Sequence, residues 1–570
     1  MKTKLGCLLQ KYVLAMICLL FAPMTHAATP YAKGALLQIV SQMPEGTWQK
    51  VNVNSYSEAW TPAALRPLYG FGNPTPHKII EAWSSFAWDS NRGDLILYGG
   101  GHANYSGNDV YRWRSRDLRW ERASLPSEIE LVPDSSAAYQ AIDGAQNAPA
   151  SAHTYDNAVF LPRSDRYLNF GGAVFNSGSF YAIRDGDPLA TRRTGPYLFD
   201  PSKADPNKVG GTTGSHVQRV EPFPEIEGGR MWENRDIPKH LAGQPIPTSH
   251  VNGCTAYSPE SDYDIVYVAA RIGGGTGLYL YRYQITDINA PWLDQIERVG
   301  DYWSAPATQT SCGYDPASKV FLRLGNNSNP FYFWDLRPER QTNRDRAVAT
   351  TGSVAEFVEW INSFTNSTGI SLRQCSLDFD PNRGNFLLWC GSAEVWRISP
   401  PEQLSTSGWQ VWREELGPGE SPPLNVGIGI LGKWKYVPGF DVFIGLENVV
   451  NGNIWVYKPI GWVPPETEDT GDGSNPEPDP DPVNQPPTVV LNSPATGETV
   501  AVNSLVTLSA QASDGDGTVM EVAFYVNGSA IGSATTEPYL ADWIATEPGE
   551  YVLTAVAIDN MGASTTSEPV

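Results

Sequence analysis

Basic residues are scarce in this 570-residue chain, in which 40 Lys and Arg stand against 62 Asp and Glu for a formal net charge of −22. A general nucleic-acid binder needs a cationic face, so this balance argues against that class. Turn-forming and aromatic residues are abundant, with 53 Gly, 46 Pro, 19 Trp, 26 Tyr and 19 Phe. Without a collagen period, they predict many short strands joined by tight turns, and they argue against coiled coils, collagen and full disorder.

Long apolar runs are also missing, except at the N-terminus. Three lysines precede an apolar run at residues 12–21, and Ala27 is a small residue suited to a cleavage site. This pattern is typical of an export signal, and the run is too short to span a bilayer comfortably. We therefore expect a signal peptide over residues 1–27, a secreted protein (extracellular or periplasmic), and no membrane association.

One pattern recurs between residues 28 and 465: an apolar strand, a short turn rich in Asp, Pro and Gly, and a second apolar strand, often followed by a third. Its six copies begin at Phe86, Thr154, Tyr257, Tyr314, Phe379 and Tyr436. Repeats of this kind predict an all-β chain with a kelch-like β-propeller over 28–465. Six blades are visible, and a 97-residue interval between Leu161 and Ser258 has room for another, so we predict seven. The segment TWQKVNV (47–53) is expected to complete the last blade, and an array of two-sheet sandwiches is the alternative.

An abrupt change of composition separates this region from the C-terminal part. Residues 466–486 carry seven acidic residues, no basic one and many prolines, which predicts a stiff, extended linker. Residues 487–570 contain alternating strands and an Asn527-Gly528 turn, which predict a small β-sandwich.

The segments ASDGDGTV (512–519), FYVNG (524–528) and YVLTAVAIDNMG (551–562) resemble the bacterial immunoglobulin-like repeats of secreted glycan-active enzymes. Such modules usually continue through a last strand, so an incomplete module ending at Val570 is one interpretation. Asp514, Asp516 and Asp559 are candidate calcium ligands, although turn-forming aspartates are the favoured interpretation.

Four cysteines remain after export to a compartment where disulfides persist. Cys375 and Cys390 flank the turn of one predicted hairpin symmetrically, so they should face each other at a distance suited to a disulfide. Cys254 and Cys312 begin the first strands of two successive blades and form a second candidate pair. Four buried thiols are the alternative, and a zinc site formed by His250, Cys254 and Cys312 is a weaker one.

Histidines concentrate on one predicted face of the ring. In each blade, the loop before the first strand and the loop between the second and third strands open on the same face, which is the default binding site. Four of the six histidines outside the leader map there, namely His77, His102, His153 and His250. Arg271 and Arg373 occupy corresponding loops of other blades. Because imidazole titrates near neutral pH, this grouping suggests proton-transfer chemistry.

The loop GGGHANYSGN (99–108), the segment SAHTYDN (151–157), the kelch-like pattern, the export signal and the trailing Ig-like module together resemble the long form of bacterial ulvan lyases. The resemblance covers residues 28–465. It implies a seven-bladed propeller that cleaves ulvan, a sulfated polymer of rhamnose and uronic acids, by β-elimination at a uronate.

By loop position, the resemblance implies four catalytic residues: His102, His153, Tyr257 and Arg271. We expect the substrate-contacting residues to be Asn104, Tyr105, Tyr155, His250 and Arg373. The Arg271 guanidinium suits the uronate carboxylate, while histidine and tyrosine would move protons from C5 and to O4. The chemistry requires no cofactor, although a structural Ca or Zn ion stays open, and the expected partner of this monomer is an acidic algal polysaccharide.

Other functions remain open at this stage. The chain shows no Gly-x-Ser-x-Gly elbow, Walker loop, His-Glu-x-x-His or dinucleotide fingerprint. A propeller glycosidase, a copper-radical oxidase with a Tyr–Cys crosslink, and a non-catalytic glycan-binding protein are the alternatives. Base and acid are not separately assigned, and neither are the linkage cleaved or endo against exo action.

Overall fold

The computed structural model describes residues 34–67, 75–131, 139–184, 191–213, 226–240, 253–271, 278–301, 309–337, 344–424, 427–447, 449–465, 486–514, 519–559 and 564–570. The chain divides into two compact units, Met1–Glu468 and Asp469–Val570. The predicted signal peptide (1–27) and nearly all of the predicted linker (466–486) lie outside the described residues. The same is true of His250, of Asp516 and of the side chain of Arg271.

Six four-stranded antiparallel sheets make up most of the first unit. The N-terminal strand β1 (Thr47–Lys50) belongs to the sixth sheet, whose other three strands come from the C-terminal end of the first unit. Sheet one contains β2 (Phe86–Asp89), β3 (Asp94–Leu97), β4 (Tyr111–Arg114) and β5 (Arg119–Arg122). The hairpin β6 (Ile129–Leu131) and β7 (Tyr139–Ala141) and the strand β8 (Ala152–His153) follow. Sheet two contains β9 (Ala158–Leu161), β10 (Arg166–Asn169), β14 (Tyr197–Phe199) and β15 (Trp232–Asn234); between its second and third strands lie β11 (Ala173–Val174), β12 (Ala182–Arg184) and β13 (Thr191–Arg193).

Among the described residues, sheets three to six contain no inserted strands of this kind. Sheet three contains β16 (Cys254–Ser258), β17 (Asp264–Arg271), β18 (Leu278–Ile285) and β19 (Gln295–Gly300). Sheet four contains β20 (Cys312–Asp315), β21 (Val320–Asn326), β22 (Asn329–Asp335) and β23 (Arg346–Ala347). Sheet five contains β24 (Ser376–Asp380), β25 (Asn385–Trp389), β26 (Val395–Ser399) and β27 (Gln410–Arg413). Sheet six contains β28 (Trp434–Val437), β29 (Val442–Leu446), β30 (Ile454–Lys458) and, paired with β30, strand β1.

The first strands of these sheets contact one another in chain order, from β2 through β9, β16, β20 and β24 to β28, and β28 contacts β2 again. The sheets therefore form a closed ring whose axis the first strands surround. As predicted, the segment beginning at Thr47 completes the last sheet, which leaves no open edge there. We call the end at which first strands begin and second strands end the upper rim, and the end with the β2–β3-type turns the lower rim.

The predicted count of seven sheets is wrong for the described residues, because six first strands already close the ring. The long interval after Leu161 is filled by an insertion within sheet two: β11 pairs with β8, and β12 pairs with β13, before β14 resumes the sheet. Strand alternation alone does not distinguish an extra sheet from short hairpins inserted between two strands of one sheet.

The prediction of an all-β chain also needs correction, since helices occur as well. The α-helices are α1 (Ala35–Gln42), α2 (His77–Glu81), α3 (Ile237–His240) and α4 (Ser353–Thr368). In α4 the buried residues Val354, Phe357 and Ile361 recur at helical spacing and pack between sheets four and five. Among the described residues, no helix is long and apolar enough to cross a membrane.

The lower-rim turns explain why the repeat was visible in the sequence. The carboxylate of Asp89 accepts hydrogen bonds from the amides of Asn91 and Arg92, at 2.9 and 3.0 Å. Asp315 and Asp380 cap the equivalent turns in the same way. Such Asx turns leave a positive φ for a glycine such as Gly93 (+73°) or Gly384 (+65°).

The second unit contains two sheets, ordered β31-β32-β35 and β34-β33-β36-β37. Their strands are β31 (Thr488–Ser493), β32 (Leu505–Ser513), β33 (Val519–Val526), β34 (Ser529–Ala534), β35 (Tyr539–Ile544), β36 (Leu553–Asp559) and β37 (Ser564–Thr566). Alternate residues of both sheets, such as Leu508, Phe524 and Ala555, form a buried core. The predicted β-sandwich is therefore present.

Candidate functional site

A network around Ser151 brings two distant loops together at the upper rim. The Gly101 amide donates to Ser151 Oγ at 2.7 Å, and this hydroxyl lies 2.9 Å from the Gly99 carbonyl and 2.8 Å from that of Tyr105. Because Ser151 precedes β8, it fixes the loop after β3 against the segment that leads into sheet two. His102 from the first loop and His153 from the second are thereby placed side by side.

Glycines make this approach possible. Gly101 has φ +44°, and a Cβ there would lie 2.2 Å from the amide nitrogen of His153. Gly172 has φ +155°, and a Cβ there would lie 1.5 Å from the carbonyl oxygen of His153. Any other residue at either position would displace the backbone that carries His153.

The two imidazoles meet nearly at right angles, with ring centroids 5.8 Å apart and an interplanar angle of 89°. His102 is exposed, whereas His153 is only 4% exposed. Asn104 Nδ2 lies 2.8 Å from His153 Nε2 and fixes the orientation of that ring. The structure therefore brings His102, Asn104 and His153 together at the upper rim.

Tyr155 extends this cluster toward the axis of the ring. Its ring lies 5.9 Å from that of His153 and stacks on Trp83 at 6.2 Å. Its backbone has φ +50°, an unusual conformation for a residue other than glycine. Among the described residues its hydroxyl has no hydrogen-bond partner, and burial raises the pKa of this phenol well above its usual range. Tyr155 is itself only 4% exposed, and it belongs to the cluster through its edge-on contact with the His153 ring.

Tyr257 lies elsewhere. It pairs with Val266 next to the β16–β17 turn, which belongs to the lower rim, and its hydroxyl donates to Asp264 at 3.1 Å. Burial first, and then the Asp264 carboxylate, raise the pKa of Tyr257. Since β16 begins at the upper rim with Cys254, three residues of strand separate Tyr257 from that rim by about 10 Å. The structure does not bring Tyr257 together with the histidines.

Tyr105 is also held away from the site. It is 1% exposed, and its hydroxyl donates to Asp109 at 3.2 Å, beside hydrogen bonds from Thr61 and Tyr111 to the same carboxylate. Burial raises the pKa of Asp109. Tyr105 therefore supports the glycine-rich loop from below and presents no hydroxyl to a ligand in this structure.

The structure describes the remaining candidates only in part. Arg271 ends β17 at this rim, but its side chain and His250 lie outside the described residues. Arg373 is exposed in the short 3-10 helix before β24. His77 begins α2, where its Nε2 lies 3.5 Å from Glu81, and burial lowers its pKa.

A buried charge cluster next to the site was not predicted from the sequence. Asp156 is fully buried, and its carboxylate lies 2.8 Å from Lys435 Nζ and accepts a hydrogen bond from Ser311 Oγ at 2.6 Å. Asp378 adds a second carboxylate, whose pKa burial raises to about 6 although Lys435 opposes the shift. These residues lie in, or just before, the first strands of four different sheets, and Asp156 directly follows Tyr155 in the chain. The only sequence signal was the position of Asp156 within the SAHTYDN segment.

Both predicted disulfides are present, Cys254–Cys312 and Cys375–Cys390. The first bridges sheets three and four, and the second bridges the two strands of one hairpin. The zinc alternative for Cys254 and Cys312 is therefore wrong, because neither sulfur is a thiolate. Within the described part of the chain, no three His, Cys, Asp or Glu residues are grouped as metal ligands.

The arrangement is suited to moving protons on a bound ligand. It combines an exposed imidazole, a second imidazole held by an amide, and a neutral phenol, next to the indole face of Trp83. Aromatic faces with a few convergent hydrogen-bonding groups are typical of small-molecule binding sites in general. Trp83 was not singled out from the sequence.

Comparison with known proteins identifies one family. Residues 487–555 match the model of the bacterial Ig domain, so the C-terminal unit contains such a domain. No curated protein matches the chain. Together with the two disulfides, the Ig domain indicates an extracytoplasmic protein.

Several solved structures are similar to parts of the chain. The fibronectin(III)-like modules of CbhA from Clostridium thermocellum are 32% identical over 14% of this chain and 89% of theirs, with a TM-score of 0.14. A luciferin-regenerating enzyme is 8% identical over 72% of this chain and 95% of its own, with a TM-score of 0.30. The extracellular domain of the putative hybrid two component system BT4673 from B. thetaiotaomicron is 10% identical over 85% and 69%, with a TM-score of 0.21.

Proposed function

We propose that the chain is a secreted polysaccharide lyase that cleaves an ulvan-type polymer by β-elimination at a uronic acid. In this proposal the ring is a six-bladed β-propeller, residues 1–27 are a removable signal, and 466–486 link the catalytic domain to the Ig domain. The observation that carries the proposal is the cluster of His102, His153 and Tyr155 at the upper rim.

β-Elimination needs a base at C5, an acid at O4 and stabilisation of the uronate carboxylate. His102, the exposed imidazole, takes the C5 proton. The electron pair of the C5–H bond forms the C4–C5 double bond as the C4–O4 bond breaks. Tyr155 donates its proton to the departing O4, and water then carries the proton that His102 took from C5 back to Tyr155, so that both residues return to their starting states.

The other residues orient the sugar. Asn104 holds His153 at 2.8 Å, so that the buried imidazole keeps one orientation toward the reacting ring. Trp83 offers its indole face to the pyranose. Arg271, which ends β17 at the same rim, is proposed to bind the uronate carboxylate through its guanidinium.

The charge distribution is compatible with an anionic substrate despite the net charge of −22. No Lys or Arg occurs from residue 487 onward, and the linker has none either. Apart from the three leader lysines, all basic residues therefore lie in the catalytic domain, where the local potential can be positive while the total is negative.

The decisive test is incubation of the protein with ulvan while ultraviolet absorbance is recorded. A lyase produces an unsaturated uronate that absorbs, whereas new reducing ends without absorbance would indicate a hydrolase and overturn the proposal. Unchanged polymer in the presence of folded protein would overturn it too, in favour of a glycan-binding protein.

Replacement of the proposed acid gives the sharpest variant. Tyr155→Phe removes only the hydroxyl, and we expect kcat to fall by about a hundredfold or more because general acid catalysis is lost. Tyr263→Phe is the matched control, since it removes a phenol hydroxyl from a residue that is 44% exposed on the β16–β17 turn. Equal kcat values for Tyr155→Phe and the wild type would exclude Tyr155 as the acid.

A further inference from the structure

Lys433 is a buried lysine that the proposed mechanism does not use. It directly precedes β28 at the upper rim, and it is fully buried. Within the described part of the chain, the one hydrogen-bond partner of its Nζ is the carbonyl of Ala82, at 3.2 Å. No carboxylate there compensates its charge, and burial lowers its pKa to about 7. A buried amine without a counter-ion costs free energy that an apolar side chain would not, which is typical of groups kept for a functional site.

The Ala82 carbonyl lies where helix α2 ends and the segment that carries Trp83 begins. Ala82 is the C-terminal cap residue of α2, a position at which unpaired carbonyls need an N–H donor. Trp83 is partly buried, and its own carbonyl accepts the amide N–H of Tyr155 at 2.6 Å. The Trp83 ring also stacks on the Tyr155 ring at 6.2 Å. Lys433 therefore holds the residue next to the one that contacts Tyr155 through both backbone and ring.

The segment around Lys433 also contacts Tyr155 directly. Gly432 has φ +71°, and a Cβ there would lie 2.2 Å from the carbonyl oxygen of Tyr155. The Gly432 carbonyl accepts the amide N–H of Phe86 at 3.2 Å. The backbone of Tyr155 is thus enclosed between this segment and the one that begins at Ala82. A left-handed conformation such as that of Tyr155, with φ +50°, persists only where its surroundings fix it in this way.

We propose that Lys433 is a positioning residue of the candidate site: its hydrogen bond to Ala82 fixes Trp83 and, through Trp83, the left-handed conformation of Tyr155. For its effect on catalysis this inference rests on the proposed function, in which Tyr155 is the acid and Trp83 offers its face to the sugar. Lys433 touches no ligand itself, because it is fully buried. The position of Trp83, however, can be measured without catalysis.

Lys458 provides a matched control in the same sheet. It ends β30 at the lower rim and is also buried. Its Nζ donates to the carbonyls of Val40 and Met43, at the C-terminal end of α1, at 2.9 and 2.8 Å. Replacement of either lysine by Met removes a buried amine that caps a helix, but only Lys433 is connected to Trp83.

Two quantities are measured for each protein. The first is kcat on ulvan. The second is the near-ultraviolet circular dichroism of Trp83, obtained as the difference between each protein and the same protein carrying Trp83→Phe. We expect Lys433→Met to lower kcat about tenfold and to diminish the Trp83 signal, because Trp83 and Tyr155 lose their fixed arrangement. Lys458→Met should lower the melting temperature but leave kcat and the Trp83 signal unchanged.

An unchanged kcat or an unchanged Trp83 signal in folded Lys433→Met would overturn the positioning role, and so would equal changes in Lys458→Met. If Lys433→Met does not fold, the comparison is made with Lys433→Gln and Lys458→Gln, which shorten the side chain but keep it polar. Failure of both Lys433 variants to fold would show that Lys433 serves the stability of the ring alone, which also overturns the inference. If the wild type leaves ulvan intact, the proposed function fails, and the Trp83 signal alone decides the positioning role.

Discussion

At the scale of single residues, the site depends on glycines that let two loops touch. Gly101 and Gly172 both face the backbone of His153 at distances that exclude a side chain. The catalytic candidates are thus placed by residues that carry no chemistry themselves. The sequence shows the glycines next to His102, but it does not show that Gly101 packs against the backbone of His153, some fifty residues away.

Gly101→Ala tests this dependence. The new Cβ would lie 2.2 Å from the His153 nitrogen at φ +44°, so the backbone has to move. We expect a loss in free energy of unfolding clearly above the roughly 1–2 kcal/mol that a left-handed conformation alone costs a residue with a Cβ. The measurement is denaturant unfolding.

Gly384→Ala is the matched control for that variant. Gly384 has φ +65°, but a Cβ there would meet nothing within 4 Å. This variant should therefore show the cost of the backbone conformation alone. Equal losses in the two variants would contradict a steric role for Gly101.

At the scale of elements, the sequence predicted the first hairpin of each sheet well and the connections poorly. Asp-capped turns such as that of Asp380 are local, so they are visible in one stretch of sequence. The same locality made the pairing of Cys375 with Cys390 predictable. By contrast, β12 and β13 have the length and composition of ordinary strands, and they were attributed to an additional sheet.

Tyr257 shows the same limit within the candidate site. It was matched to a catalytic role by its place near the start of a repeat, yet it lies at the turn end of β16 and contacts Asp264. Side chains alternate between the two faces of a strand, but the sequence does not show which end of the strand lies near the candidate site. Helix α4 lies between two copies of the repeat, where the strand pattern predicts no element.

Strand β1 completes sheet six, and its residue Trp48 packs into an aromatic cluster there. The Trp48 ring lies 5.3, 5.4 and 5.0 Å from those of Trp389, Trp434 and Tyr457, and its Nε1 donates to the Ala393 carbonyl. We expect Trp48→Ala to lower the free energy of unfolding by about 3–5 kcal/mol, because it leaves a large cavity.

Trp412→Ala on β27 provides the comparison, since that side chain is 41% exposed. Trp412→Ala should lower the free energy of unfolding far less than Trp48→Ala does in the same denaturant titration. A comparable loss would mean that the closing strand contributes no more than an outer strand does.

At the scale of the whole molecule, the ring places charged groups on its axis that no local pattern connects. Asp156, Ser311, Asp378 and Lys435 are far apart in sequence and lie in, or just before, the first strands of four different sheets, yet Asp156 and Lys435 are 2.8 Å apart. Only ring closure creates this cluster, so no single stretch of the sequence reveals it.

The buried carboxyl of Asp378 makes the stability of the ring dependent on pH. Burial raises its pKa from 3.8 to about 6, so between these values the folded chain binds more protons than the unfolded chain. The free energy of unfolding should therefore fall as pH rises from about 4 to 6. Asp378→Asn removes this group, and we expect the slope of the free energy of unfolding against pH to change by up to about 1.4 kcal/mol per pH unit in that range.

Asp117→Asn, at an exposed turn, is the control and should keep the wild-type slope. Denaturant titrations at pH 4, 5 and 6 measure all three proteins. Parallel curves for Asp378→Asn and the wild type would show that this carboxyl titrates as in the unfolded chain.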